Sequence, residues 1–169
     1  IIKIPINISL NEQVELINFL YPEQKQFNTI YSKSQYDAEG IVSINDDLII
    51  FTKNKLKKIT EAYSIPKTGG NYEAKKISSI DVKSIVTGSD YNNQLKLLAL
   101  TSTINFKKYY LILIKDFSLK NKKHQIETYE IPIGKTQVEA IKIIDRNNFW
   151  ISSEDESSSK HARLLKLTI

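Results

Sequence analysis

Cysteine and methionine are both absent from the 169 residues, histidine occurs twice, and only four prolines and five glycines punctuate the chain. Without cysteine there are no disulfides, no zinc–thiolate sites and no cysteine nucleophile, while the redox compartment stays open. Without a methionine the sequence lacks the usual start of translation, and we expect a mature, trimmed or partial piece of something longer. No run of about 18 apolar residues occurs, so no segment reads as a transmembrane helix. The opening "IIKIPINISLNEQ" alternates where a secretory signal would show a basic start and then an apolar stretch, so any targeting segment is expected to be absent or already removed.

Arginine is scarce as well. The net charge of +5 and the pI near 9.2 invite a nucleic-acid reading, but Arg146 and Arg163 are the only arginines, and recognition of phosphates and base edges leans on the planar guanidinium fork. The lysines are scattered. The densest group, Lys53, Lys55, Lys57 and Lys58, and the next, Lys120, Lys122 and Lys123, read as solvated turns and strand faces, and we expect no nucleic-acid partner.

What the chain does hold is 41% apolar residues with 25% charged, enough for one globular domain with a real core. Short stretches rich in β-branched and aromatic residues recur between clusters of Asn, Asp, Gly, Ser and Lys, which is an all-β pattern. "NEQVELINFLY" is a helical rival, but its β-branched content and Pro22 favour a strand over 13–20. "KTGGN" (67–71) reads as a turn, with the next strand over 74–82.

Two stretches, "EAYSIP" (61–66) and "ETYEIP" (127–132), share four of six positions, and a longer series precedes each: "DAEGIVSINDDLIIFT" (37–52) and "SIVTGSDYNNQLKLLALT" (84–101). A third copy follows as "QVEAIKIIDRNNFWISS" (137–153). A period near 50 residues with about four strands each predicts propeller blades, twisted four-stranded meanders that bury their faces by stacking. The innermost strands are expected over 38–44, 84–91 and 138–144, the second over 48–53, 95–102 and 148–153, and the third over 56–65, 109–116 and 162–169. The domain reading is one partial propeller: 1–36 as the end of a preceding blade, 37–83 and 84–136 as blades, and 137–169 as a last, incomplete one. "ETYEIP" closes a blade, whereas "EAYSIP" lies a strand earlier or its blade has a longer tail through "AKKISSIDV". Three blades are too few to close a ring of the usual four to eight. A three-unit sandwich or open array is the alternative.

The segments "DAEGI" (37–41), "IVTGSDY" (85–91), "QVEAI" (137–141), "FWISSED" (149–155) and "ARLLKLTI" (162–169) resemble the motifs of a mostly uncharacterised, Bacteroidetes-type family of secreted β-propellers, and "INFLYPEQKQF" (17–27) resembles the segment before them. The resemblance covers most of this chain and about half of the family's length, with Ala140 where the family has Gly and Ser89 where it has Ala. It implies a propeller, placed outside the cytoplasm or in the cell envelope, and a distant likeness to phytase-like and esterase-like propellers.

Glu39 and Glu139 take equivalent places on inner strands, Thr87 falls at the same place in the middle copy, and Asp90 lies three residues on, facing the other way unless a bulge intervenes. Converging carboxylates and carbonyls suit a hard cation, so Glu39, Glu139, Thr87 and Asp90 are the candidate ligands of an axial Ca²⁺. The plainer reading has each glutamate accepting backbone N–H bonds that tie blades together. His124 and His161 sit beside lysines without a partner at ligand spacing and read as surface residues. Phe149 and Trp150 are adjacent, so one is expected in the core and the other between blades. "SSEDESSSK" (152–160) reads as a solvated hairpin tip. No G-x-S-x-G, H-E-x-x-H or P-loop occurs. The expected function is a binding or scaffold module outside the cytoplasm that meets another protein or the missing part of the same propeller. A phytase-like or esterase-like hydrolase with its site at the channel mouth, and a purely structural subunit of a cell-envelope assembly, are the alternatives.

Overall fold

A computed structural model describes residues 1–3, 14–27, 30, 33–121, 123–134, 136–154 and 162–169. These hold fourteen strands and no α-helix. The core of the arrangement is a run of antiparallel meanders. In the first sheet β3 (Asp37–Ile44), β4 (Asp47–Lys53), β5 (Thr60–Pro66) and β7 (Lys75–Ile80) lie in that order. In the second, β8 (Ile85–Asn92), β9 (Leu97–Ile104), β10 (Lys108–Ile114) and β11 (Ile126–Ile131) follow one another, and in the third β12 (Val138–Ile143), β13 (Asn148–Ser153) and β14 (Arg163–Thr168) do so. The first strand of each meander is innermost, and β8 packs between β3 and β12. These are propeller-type blades, stacked face to face.

The stacking explains the lettering of the strands. The second sheet is covered on both sides, so β9 ("LLALTSTI") and β10 ("KYYLILI") carry the unbroken apolar runs "LLAL" and "LILI" and their interiors are buried. One face contributes Leu98, Leu100 and Ile112 to a core with Val42, Ile49 and Phe51 of the first sheet. The other contributes Ala99, Leu111 and Leu113 to a core with Ile141, Phe149 and Ile151 of the third. Among the described residues the third sheet is covered on one face, and β13 alternates buried Phe149 and Ile151 with exposed Trp150 and half-buried Ser152. Trp150 therefore lies outside the core, 40% exposed, and not between blades as its pairing with Phe149 suggested.

The remaining sheet joins β1 (Ile2–Lys3), β2 (Glu15–Leu20) and β6 (Gly70–Glu73). "NEQVELINFLY" thus supplies a strand. "KTGGN" is a turn only as far as Gly69: from Gly70 the chain runs as β6 beside β2, in parallel, with Ile17 opposite Gly70 and Leu20 opposite Glu73. Nothing local announces β6, because "GNYE" has a single strong strand former and its partner lies far away in sequence. This sheet caps the first blade through Ile17, Tyr21, Ile50, Tyr63 and Ile65. "EAYSIP" is the third strand of its blade and buried, whereas "ETYEIP" is the fourth of the next and largely exposed, so the shared phrase marks no equivalent place.

The true equivalence sits on the inner strands. Each carries a β-bulge at the same point, between Ala38 and Gly40, Val86 and Gly88, and Val138 and Ala140. The bulged residues are Glu39, Thr87 and Glu139. The residue after each bulge faces the next inner strand: a Cβ on Gly40 would lie 2.5 Å from Ser89 Oγ, and one on Gly88 2.7 Å from the carbonyl oxygen of Glu139. Ala140 is exposed, and there a methyl group is free of such a neighbour.

We expect Gly88→Ala to cost roughly 1–3 kcal/mol, because the obstacle is main chain that must move, and Ala140→Gly to cost no more than about 1 kcal/mol of backbone entropy. Gly40→Ala, which meets a side chain, should be partly rescued by Ser89→Gly. Urea unfolding of the four variants checks the order; equal losses at Gly88 and Ala140 would show that inner-strand spacing does not limit the stack.

Candidate functional site

The polar row along the bulges is built by strand register. A bulge turns its extra residue out of the pleat, and at Glu39 this brings the carboxylate to Lys53 at the end of β4, 2.6 Å away. Lys53 is 7% exposed, so the sequence reading of this lysine as a solvated face is corrected: it is a buried countercharge at the end of "IIFTK". Its aliphatic stem continues the buried strand and only the ammonium needs a partner. Next to it Lys55 Nζ reaches Asp37 at 3.2 Å, so two Lys–carboxylate pairs stand side by side at the start of the first inner strand. Lys57 and Lys58 are exposed, as read. Burial pushes the Glu39 carboxyl above the ordinary glutamate range, and the Lys53 ammonium offsets only part of that shift.

At the second bulge the Thr87 hydroxyl donates to Thr101 Oγ1 at 3.1 Å, out of solvent. Asp90 lies beyond the bulge and points to the third sheet. Its Oδ2 accepts the Ile143 N–H at 2.7 Å and its Oδ1 the Lys142 ammonium at 3.0 Å. Such a carboxylate, holding a neighbouring inner strand by its backbone, ties blades together, the role expected for the glutamates. Ser89, on the opposite side of β8, has a buried hydroxyl without a hydrogen-bond partner among the described residues.

The four residues singled out from the sequence therefore share one structural feature, the bulged inner strands, but each described partner is a lysine, a hydroxyl or a backbone N–H. Glu39 meets an ammonium where a calcium cage needs a further oxygen, and among the described residues no three His, Asp or Glu side chains converge. The residues missed were Asp37, Lys53, Lys55 and Lys142. Asp37 stood in the quoted "DAEGI", and Lys53 could have been found from the unbroken apolar run that precedes it.

Aromatic rings back the row. Tyr21 lies 4.7 Å from Tyr63 and 5.3 Å from Tyr36, centre to centre. Burial, with Asp37 adding to it, pushes the Tyr21 phenol up to about 12, and burial raises Tyr63 as well, so both stay protonated at neutral pH. A cavity of about 590 Å³ opens beside Asp37 and Tyr36, lined also by Glu23, Lys25 and Lys33. His124 is not the surface residue expected: it is half-buried, 5.2 Å from Phe117, and burial lowers its pKa. His161 and residues 155–160 of the expected hairpin tip lie outside the described residues.

Fold and row together define a stack of propeller-type blades with charge pairs at the head of its first inner strand. Among solved structures, the β-propeller domain of Nup133 from Vanderwaltozyma polyspora is similar, with a TM-score of 0.44 and 12% identity, covering 87% of this chain and 51% of that one. The chain thus spans about half the length of the structure it matches. No protein-family model and no curated protein matches it.

Two outcomes are expected. Ser89→Ala, which removes an unpaired buried hydroxyl, should be neutral or stabilising by about 1 kcal/mol. Because the folded-state pKa of Glu39 is raised, its contribution is fully present below the unfolded value near 4.3 and fades as pH rises through the folded value. The parent should therefore lose stability relative to Glu39→Gln as pH rises above about 4.3, read by urea unfolding from pH 4 to pH 7. A pH-independent difference would mean that Lys53 compensates the burial in full.

Proposed function

We propose that the chain is a non-catalytic binding or scaffold module of propeller type that engages another protein. One observation carries the reading: the polar groups that could do chemistry at the bulges are committed to the fold. Glu39 is held by Lys53, Asp37 by Lys55 and Asp90 by Lys142 and the Ile143 N–H. General acid–base work needs a carboxylate free to exchange a proton with substrate. A carboxylate that anchors a neighbouring strand, as Asp90 does through the Ile143 N–H, weakens that tie when it takes up a proton. A location outside the cytoplasm rests on the family resemblance of the motifs alone.

The hydrolase alternative is tested with the intact chain on chromogenic phosphate monoesters and short carboxylic esters, each with calcium and with chelator. The scaffold reading expects no turnover above a heat-denatured control in either condition. Turnover that vanishes in Glu39→Gln with Glu139→Gln would replace it by the hydrolase, and a rise in melting temperature with calcium that the same double variant abolishes would establish an axial cation.

A further inference from the structure

At the end of the inner strands opposite the bulges, a cleft of about 570 Å³ opens between the first and second blades. Three connections border it: the β3–β4 turn at Asn45, the β8–β9 turn from Asn93 to Lys96, and the start of the long β10–β11 connection, from Asp116 to Asn121. Both blades that form its walls have four strands, so the cleft lies inside the stack. Its floor is apolar. Ile44 and Phe117 are buried, Tyr91 and Leu119 are half-buried, and the Phe117 ring lies 6.0 Å from Tyr91 and 6.3 Å from Phe51, centre to centre. The floor is thus continuous with the core that the two sheets share.

The rim is polar, and main-chain bonds hold it in place. The Phe117 N–H donates to the Lys96 carbonyl oxygen at 3.0 Å, which joins two of the three loops, the Asn121 N–H donates to the Ser118 carbonyl oxygen at 3.1 Å, and the Lys67 ammonium donates to the Asn45 carbonyl oxygen. Asn45, Lys96 and Asp116 stand in the left-handed region, at φ of 51°, 48° and 49°, a geometry that persists only where its surroundings fix it. The side chains are used differently from those of other turns. Asparagine and aspartate in a turn ordinarily bond the backbone two or three residues on, as Asn54, Asn92 and Asp145 do here. Asn45, Asn93, Asn121 and Asp116 border the cleft and do not. With Lys96 and Lys120 they are exposed, and their side chains make no hydrogen bond or ion pair among the described residues.

Three carboxamides and a carboxylate around an apolar floor with an aromatic ring match a ligand ring that carries hydroxyls. A carboxamide offers a donor and an acceptor, a hydroxyl is both, and the two lysines add donors. Asp116 opposes a strongly anionic ligand, and a purely apolar one would strip water from the rim groups without replacing it. The volume falls within the roughly 300–1,000 Å³ of small-molecule sites. We propose that this cleft between blades binds a sugar residue of a glycan, its hydroxyls held by Asn45, Asn93, Asn121 and Asp116 and its C–H face lying on Tyr91. The proposal goes beyond the scaffold reading, since it places a small polar ligand at the far end of the strands from the bulged row.

The test titrates the intact, isotope-labelled chain with cellobiose, maltose and digalacturonate, and with glycerol, which has hydroxyls but no ring, and follows amide signals by nuclear magnetic resonance. Signals of Asn93, Phe117 and Asn121 should shift and saturate with at least one disaccharide, at a dissociation constant of about 1 mM or tighter, and should not saturate with glycerol. Asn93→Ala combined with Asn121→Ala should weaken that binding about tenfold while leaving the urea midpoint unchanged, because both side chains are exposed and unbonded. Tyr91→Leu, which keeps apolar bulk and removes the ring, should weaken it as well. Absence of a saturable shift with all three disaccharides up to about 10 mM, tenfold above that constant, overturns the proposal. So does saturation that the double variant leaves unchanged, that glycerol reproduces, or that centres on residues away from the three loops.

Discussion

The close approach of neighbouring inner strands is the constraint on which the rest of this structure hangs. A blade is a thin meander that cannot bury both faces alone, so stability comes from pressing one sheet on the next. Here the distance is set where a bulge brings Gly40 against Ser89 and Gly88 against the Glu139 carbonyl. With no Cβ at either point, the sheets come close enough for Leu98, Leu100 and Ile112 to meet Phe51 and Ile49 on one side, and for Leu111 and Leu113 to meet Phe149 and Ile151 on the other. Each such fully buried side chain is worth roughly 1.5–3 kcal/mol, and all of them depend on a spacing that a single methyl group would upset.

The same bulges determine what the polar residues do. An extra residue in the ladder cannot keep its place in the pleat, so Glu39 and Thr87 are turned towards groups on the second strand, Lys53 and Thr101. In the first two meanders one local distortion thus places the stacking glycine and locates a polar partner.

Much of the architecture was legible because burial on one or two faces leaves different signatures. Continuous runs such as "LLAL" and "LILI" belong to the sheet covered on both sides, while alternation in "NFWISS" belongs to one covered on a single side. The inner strands were found from the copies "DAEG", "VTGS" and "VEAI", since a bulge followed by a close approach demands a small residue at one fixed position. The candidate site was legible only in part. Glu39, Thr87, Glu139 and Asp90 could be aligned, but their partners could not, because Lys53 and Thr101 are brought opposite by register across a turn and Lys142 by the packing of one sheet on another. β6 stayed hidden for a related reason, as a parallel partner far away in sequence leaves no mark on four weakly patterned residues.

By itself, then, the sequence determined an all-β chain of repeated meanders and the positions where those meanders repeat, because alternation, turn residues and small residues are read one strand at a time. Only the tertiary structure decided which charges neutralise one another and which faces are covered. Those depend on register across a turn, as for Glu39 with Lys53, or on the packing of sheets about fifty residues apart, as for Asp90 with Lys142, and the pattern within any one segment does not encode them.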